Sequence, residues 1–249
     1  MAPGPLIVPV ADPLDNPIWY SLTGPHAVFA HGNTSALRYA PDVAWFVGVP
    51  DPLGAGVGAI GEILDPGEFA IVFSVCAVVA PPGGQQVYVG KFHQMVCDHT
   101  TPTRPAIGHS EPVEPVEIVE PAELGEADID DMLALVALSE PGPFLARTHT
   151  LGHYIGIRHG DALVAMAGER MRIEGATEIS AVCTHPDARG HGYAEGLVRR
   201  LTWRINARGE RAFLHVSDEN APARRIYERI GFTRRVTMSI QVFRMGSTP

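Results

Sequence analysis

His185-Pro-Asp-Ala-Arg189-Gly190-His191-Gly192-Tyr193-Ala194-Glu-Gly-Leu197-Val198-Arg-Arg-Leu201 is the stretch whose reading decides the fold. It follows Glu178-Ile-Ser-Ala-Val182-Cys183-Thr184, which has strand composition, and Pro186 stops that strand. Downstream, Ala194, Leu197, Val198, Leu201 and Ile205 form one apolar stripe at helical period, and Gly209 closes the helix. The spacing predicts strand, glycine turn, helix. Gly190 and Gly192 lack a Cβ, so the backbone can approach a ligand closely. The free N–H groups of the helix start then face that ligand, and the helix dipole favours negative charge. A pyrophosphate suits such a cradle.

Around this core the carboxy-terminal half reads in order. Ala122–Ser139 carries Ile129, Met132, Leu133 and Val136 at helical spacing and ends at Pro141-Gly142-Pro143. Gly152–Arg158 and Ala162–Ile173 read as strands joined by a His159-Gly160-Asp161 turn. The glycine-turn helix is followed by a strand, Arg211–Ser217, and by Asn220-Ala-Pro-Ala223-Arg-Arg-Ile226-Tyr227-Glu-Arg-Ile230-Gly-Phe. In that stretch Asn220 is a helix cap, and Ala223, Ile226, Tyr227 and Ile230 share a face. In the last strand Val236, Met238, Ile240 and Val242 alternate with polar residues, giving one buried face. The order expected is ααβββαβαβ.

The strand ending in Val-Cys-Thr-His-Pro, the Arg-Gly-His-Gly-Tyr-Ala turn and Asn-x-x-Ala-x-x-x-Tyr-x-x-x-Gly-Phe, in this order and spacing, resemble the GNAT superfamily of N-acetyltransferases, and within it the FR47-like group. The resemblance covers roughly residues 112 to 249. It implies an α/β (α+β) fold with a mixed, splayed sheet flanked by helices. It also implies acetyl-CoA or another acyl-CoA as co-substrate, an amine as acceptor, and direct attack in a ternary complex. On this resemblance Val182, Cys183 and Thr184 would hold the pantetheine arm by backbone hydrogen bonds, as an added strand would. Arg189, Gly190, His191, Gly192, Tyr193 and Ala194 would hold the pyrophosphate, and Asn220, Ala223 and Tyr227 the pantetheine end. Tyr227 sits where the family's general acid sits. Asp187 departs from the pattern, because Gln or Arg is usual there and a carboxylate cannot donate to phosphate.

The catalytic assignments are Tyr227 as acid and Glu178 as base, with Glu169 as the alternative base. A phenol, with an ordinary pKa of ~10, keeps its proton at neutral pH and can give it to sulfur. Alternation along the strand puts Glu178 on a face with Ser180, Val182 and Thr184, where burial would raise its pKa. Cys183 should then point away from Glu178, and no His stands near in sequence to activate it for a covalent route.

Residues 1 to about 98 are rich in Pro and Gly and suggest a smaller α/β module: a short helix at 16–22, strands at 42–49 and 68–79, and another at 85–96. This module is either a degenerate copy of the same fold or an unrelated lid. Leu53-Gly-Ala-Gly-Val-Gly-Ala-Ile-Gly-Glu-Ile63 follows prolines rather than a strand, which argues against a dinucleotide fingerprint. Cys97, His99 and His93 lack a fourth ligand at recognisable spacing, so no metal is expected. Repeated Pro and Glu over about 99–121 read as a linker between domains 1–110 and 111–249.

A length of 249 residues suits two domains, and no run approaches the ~20 apolar residues of a membrane span. The amino terminus MAPGPLIVPV has no basic region and no signal-like apolar core. Three cysteines, Cys76, Cys97 and Cys183, form no disulfide pattern, so a cytoplasmic protein is expected. The net charge is −9, yet residues 186–249 hold 12 Arg against 6 acidic residues. That basic end coincides with the anion cradle. The acidic remainder argues against nucleic acid as a partner and mildly for a cationic acceptor, be it a small amine, an amino acid or a peptide amino terminus. A non-catalytic acyl-CoA sensor stands as the alternative function because of Asp187. A Rossmann oxidoreductase is disfavoured, because a hairpin precedes the cradle.

Overall fold

The computed structural model describes residues 12–52, 55–98, 120–139 and 141–246. In chain order the first elements are α1 (Pro17–Leu22), β1 (His31–Gly32), β2 (Leu37–Arg38), β3 (Val47–Gly48), β4 (Phe69–Ser74) and β5 (Gly84–Cys97). There follow β6 (Ala122–Leu124), α2 (Ile129–Ser139), β7 (Tyr154–His159), β8 (Ala162–Ile173), β9 (Ala176–Thr184), α3 (Tyr193–Ala207), β10 (Arg211–Ser217), α4 (Ala221–Ile230) and β11 (Thr233–Met245). The glycine-rich 55–62 stretch is a 3-10 helix whose Val57, Ala59 and Ile60 are buried against β4 and β11 residues.

One eight-stranded sheet, ordered β4-β11-β5-β10-β9-β8-β7-β6, organises the molecule; β1, β2 and β3 form a small separate one. α3 buries Leu197, Val198, Leu201 and Ile205 on one face of the large sheet, with Ile155, Ala165, Leu214 and Val216 beneath them. The opposite face is covered by α1, through Ile18 and Leu22, and by α2, through Met132 and Leu135. α4 is capped as the sequence predicts: the Asn220 side chain accepts from the Ala223 N–H at 3.1 Å, and Gly231, at φ 113°, ends the helix. Such a cap stabilises by about 1 kcal/mol.

The expected order needs one change. Ala122–Ser139 is not a single helix, because Ala122–Leu124 pairs with β7 and a 3-10 turn at Glu126–Asp128 precedes α2. The expected division at residue 110 meets a plain topological fact. β5, from the amino-terminal half, lies between β10 and β11, antiparallel to both, and β4 pairs with β11. The two halves share one sheet, whereas separate modules were expected. The linker stretch itself, at 99–119, lies outside the described residues, as does the MAPGPLIVPV terminus.

Candidate active site

β9 and β10 run parallel and pair over only Arg211–Phe213 against Ala176–Glu178. Beyond that the strands diverge, and β9 from Ile179 to Thr184 keeps ladder partners on the β8 side alone. A bulge marks the divergence: Ala181 has φ 53° and is the extra residue where Met166 faces Cys183 but Gly168 faces Ser180. A non-glycine residue held there costs roughly 1–3 kcal/mol, which the surrounding sheet must supply. The result is a cleft of about 960 Å³ that opens the sheet between β9 and β10.

One wall of the cleft is the anion cradle. Gly190 and Gly192 take φ 86° and 74°, and a Cβ built on Gly190 meets nothing within 4 Å, so the turn leaves room for a guest. α3 starts at Tyr193 with its free N–H groups behind that turn. Val182, Cys183, Thr184, Arg189, Gly190, Gly192, Tyr193, Ala194, Asn220, Ala223 and Tyr227 all line the cleft. His191 does not: it stacks on Tyr193, and its Nδ1 lies 3.1 Å from the Arg189 carbonyl oxygen. Thr184 Oγ1 is buried with no hydrogen-bond partner among the described residues. Asp187 does not line the cleft, and its side chain is 94% exposed.

Tyr227 is 8% exposed and packs edge-on against Phe232. Its hydroxyl has no partner among the described residues, and burial pushes the phenol up to about 12. A proton is held there at any neutral pH.

The carboxylates depart from expectation. Glu178 is fully buried, but it is an ion-pair member rather than a base with a raised pKa. Arg170 Nε and Nη2 donate to its two oxygens at 2.8 and 2.7 Å, and His215 Nδ1 lies 2.8 Å from Oε1. Burial pushes the carboxyl up, and Arg170 and His215 together overcome it and hold it at about 2. The Ala181 bulge also undoes the expected alternation. Val182 packs toward α3, while Ala181 and Cys183 pack with Met132 and Tyr154 on the α2 side. Burial pushes the Cys183 thiol up to about 12, which leaves little thiolate for a covalent route. Glu169 is bound by Arg208 at 2.9 and 3.1 Å and does not line the cleft.

Two residues of this network escape a sequence reading. A second bulge, in β8 between Glu169 and Arg172, turns Arg170 toward Glu178 and stacks it 4.7 Å over the Phe46 ring. His215, in β10, is held from both sides. Gln94 Nε2 donates to the Leu14 carbonyl at 2.8 Å and meets His215 Nε2 at 3.2 Å, while its Oε1 accepts from Arg235 at 2.9 Å. That orientation makes Nε2 of His215 the acceptor and its Nδ1–H the donor to Glu178. His93, one of the sequence's metal-ligand candidates, instead faces Arg224 and Thr237, and Cys97 is in the core. Among the described residues no group of three or more His, Cys, Asp or Glu is placed to hold a metal.

A splayed sheet with a glycine-turn cradle at its gap defines the acetyltransferase fold of the GNAT type. The FR47-like family matches residues 154–240. A solved structure assigned to the GNAT acetyltransferases, from Novosphingobium aromaticivorans, is 33% identical over 95% of this chain and 100% of its own, with a TM-score of 0.82. A GCN5-related N-acetyltransferase from Kribbella flavida is 18% identical over 92% of this chain and 95% of its own, at 0.57. A related protein from Streptococcus suis is 13% identical over 90% and 92%, at 0.55. These two show the fold alone. Comparison with curated proteins finds no match. The chain belongs to the GNAT superfamily, in its FR47-like group.

Proposed function

We propose that this chain transfers an acetyl group from acetyl-CoA to an amine by direct attack within a ternary complex. The observation that carries the reading is the gap between β9 and β10, which has the anion cradle at one end and the free Tyr227 hydroxyl on its side. The pyrophosphate lies on the Arg189–Ala194 turn, and the pantetheine arm pairs with the unladdered edge of β9. Backbone N–H groups of that edge polarise the thioester carbonyl as negative charge develops on its oxygen. The amine nitrogen bonds to the carbonyl carbon, the carbon–sulfur bond breaks, and sulfur takes a proton from Tyr227. Tyr227 recovers a proton from the acylated nitrogen through water, so the proton lost by nitrogen ends on sulfur. Glu178 orients Arg170 and His215 and accepts no proton, since its carboxylate is held far below neutral pH.

The test is amine-dependent release of free thiol from acetyl-CoA by the full chain. Release that rises with amine concentration is expected. Tight acetyl-CoA binding with no release across a broad set of amines would leave only the sensor reading.

A further inference from the structure

The cleft has a second wall, across the gap from the cradle, and its chemistry specifies the acceptor. It is built by β4, β11, β5 and the segment before β3, which present Phe46, Phe73, Phe92, Ile240 and Val242. Phe46, Phe73 and Ile240 are buried in one cluster, and Phe92 and Val242 are half-buried against it. Arg170 is the charged side chain on this wall among the described residues, and Glu178 behind it cancels its charge. Two of its guanidinium nitrogens are spent on Glu178; Nη1 has no partner among the described residues.

Resting on the transfer reading above, we infer that the acceptor is an amine with an apolar arm of aromatic or branched-chain size, which packs on this wall, and with an uncharged oxygen that accepts a hydrogen bond from Arg170 Nη1. The arm replaces water on a surface of three phenylalanines and two aliphatic residues, the favourable exchange for an apolar group. A polyamine meets no free carboxylate on the wall and gives up its hydration there for nothing. A carboxylate fares little better, because the Arg170 charge is already matched by Glu178 and a second anion would lie beside it. The acidic surplus of the amino-terminal half therefore does not reach the acceptor site, against the mild cationic preference expected from composition.

Calorimetric titration of phenylalaninamide, phenylalanine and spermidine into the CoA-saturated full chain tests this. Phenylalaninamide should bind at least about tenfold tighter than either of the others, the scale on which one apolar group discriminates. Phe92→Ala, at a half-buried position, should weaken phenylalaninamide by about tenfold and leave spermidine unchanged. Equal or tighter binding of spermidine or phenylalanine to the wild type would overturn the inference, whatever the variant does. If CoA itself fails to bind, the cradle reading falls, and the same titrations into the unliganded chain still measure the acceptor wall. Selective binding of phenylalaninamide without thiol release would support the wall and contradict transfer.

Discussion

At the residue scale the buried Arg170–Glu178–His215 group separates what the sequence shows from what it hides. Glu178 is visible as a carboxylate on an apolar strand, and a lone buried carboxyl would indeed have a raised pKa. Its partner lies eight positions earlier, turned inward by a bulge that no periodicity announces. Glu178→Gln leaves the Arg170 guanidinium buried without its counter-charge. The expected loss is about 3–5 kcal/mol of stability, read as a shift of the urea midpoint; an unchanged midpoint would mean that the pair is not buried in solution. His26 supplies a pH dependence. Burial lowers it from 6.5 to about 4, so the unfolded chain holds a proton that the folded chain lacks between those values. Its contribution is complete above about pH 6.5 and is lost as pH falls toward 4. Urea midpoints at pH 7 and pH 5 should differ in the wild type and differ less in His26→Asn.

At the element scale, legibility tracks locality. The glycine turn, α3, α4 with its Asn220 cap, and the β7–β8 hairpin are set by short-range chemistry and fall where the residues predict. The bulges at Ala181 and Arg170 are set by contacts between strands, so the face on which Val182 and Cys183 lie was misjudged. α2 is shorter than the helix expected over Ala122–Ser139 because Ala122–Leu124 finds a strand partner in β7. The cradle carries its own prediction. Gly190 has φ 86° with open space where a Cβ would stand, and that space is the proposed seat of the pyrophosphate. Gly190→Trp should abolish calorimetric binding of acetyl-CoA while the chain stays folded, its thermal midpoint lowered because a side chain at φ 86° costs roughly 1–3 kcal/mol. Wild-type affinity in the variant would place the phosphates elsewhere.

For the whole molecule, the decisive feature is long-range pairing. The alternation of 85–96 predicts a strand, yet nothing local says that it enters the sheet of the carboxy-terminal half between β10 and β11. That insertion brings Phe92 to the gap and the pairing of β4 with β11 brings Phe73, so the acceptor wall is built largely from the half that carries no cradle. Two halves that share a sheet are expected to unfold together. Chemical denaturation should give one transition by fluorescence and by circular dichroism alike, and residues 111–249 expressed alone should not give a stable fold. Two separated transitions, with a folded 111–249 fragment, would restore the division at residue 110.

The account as a whole rests on acyl transfer at the gap, and Tyr227→Phe tests it most directly because it removes one oxygen and keeps the ring in the core. With a working amine, turnover and acetyl-CoA affinity are measured on the same protein. Loss of a positioned acid predicts turnover lower by roughly 10²–10⁴-fold, with affinity nearly unchanged, since the proposed pyrophosphate seat is the Arg189–Ala194 turn. Full turnover in Tyr227→Phe would contradict the account.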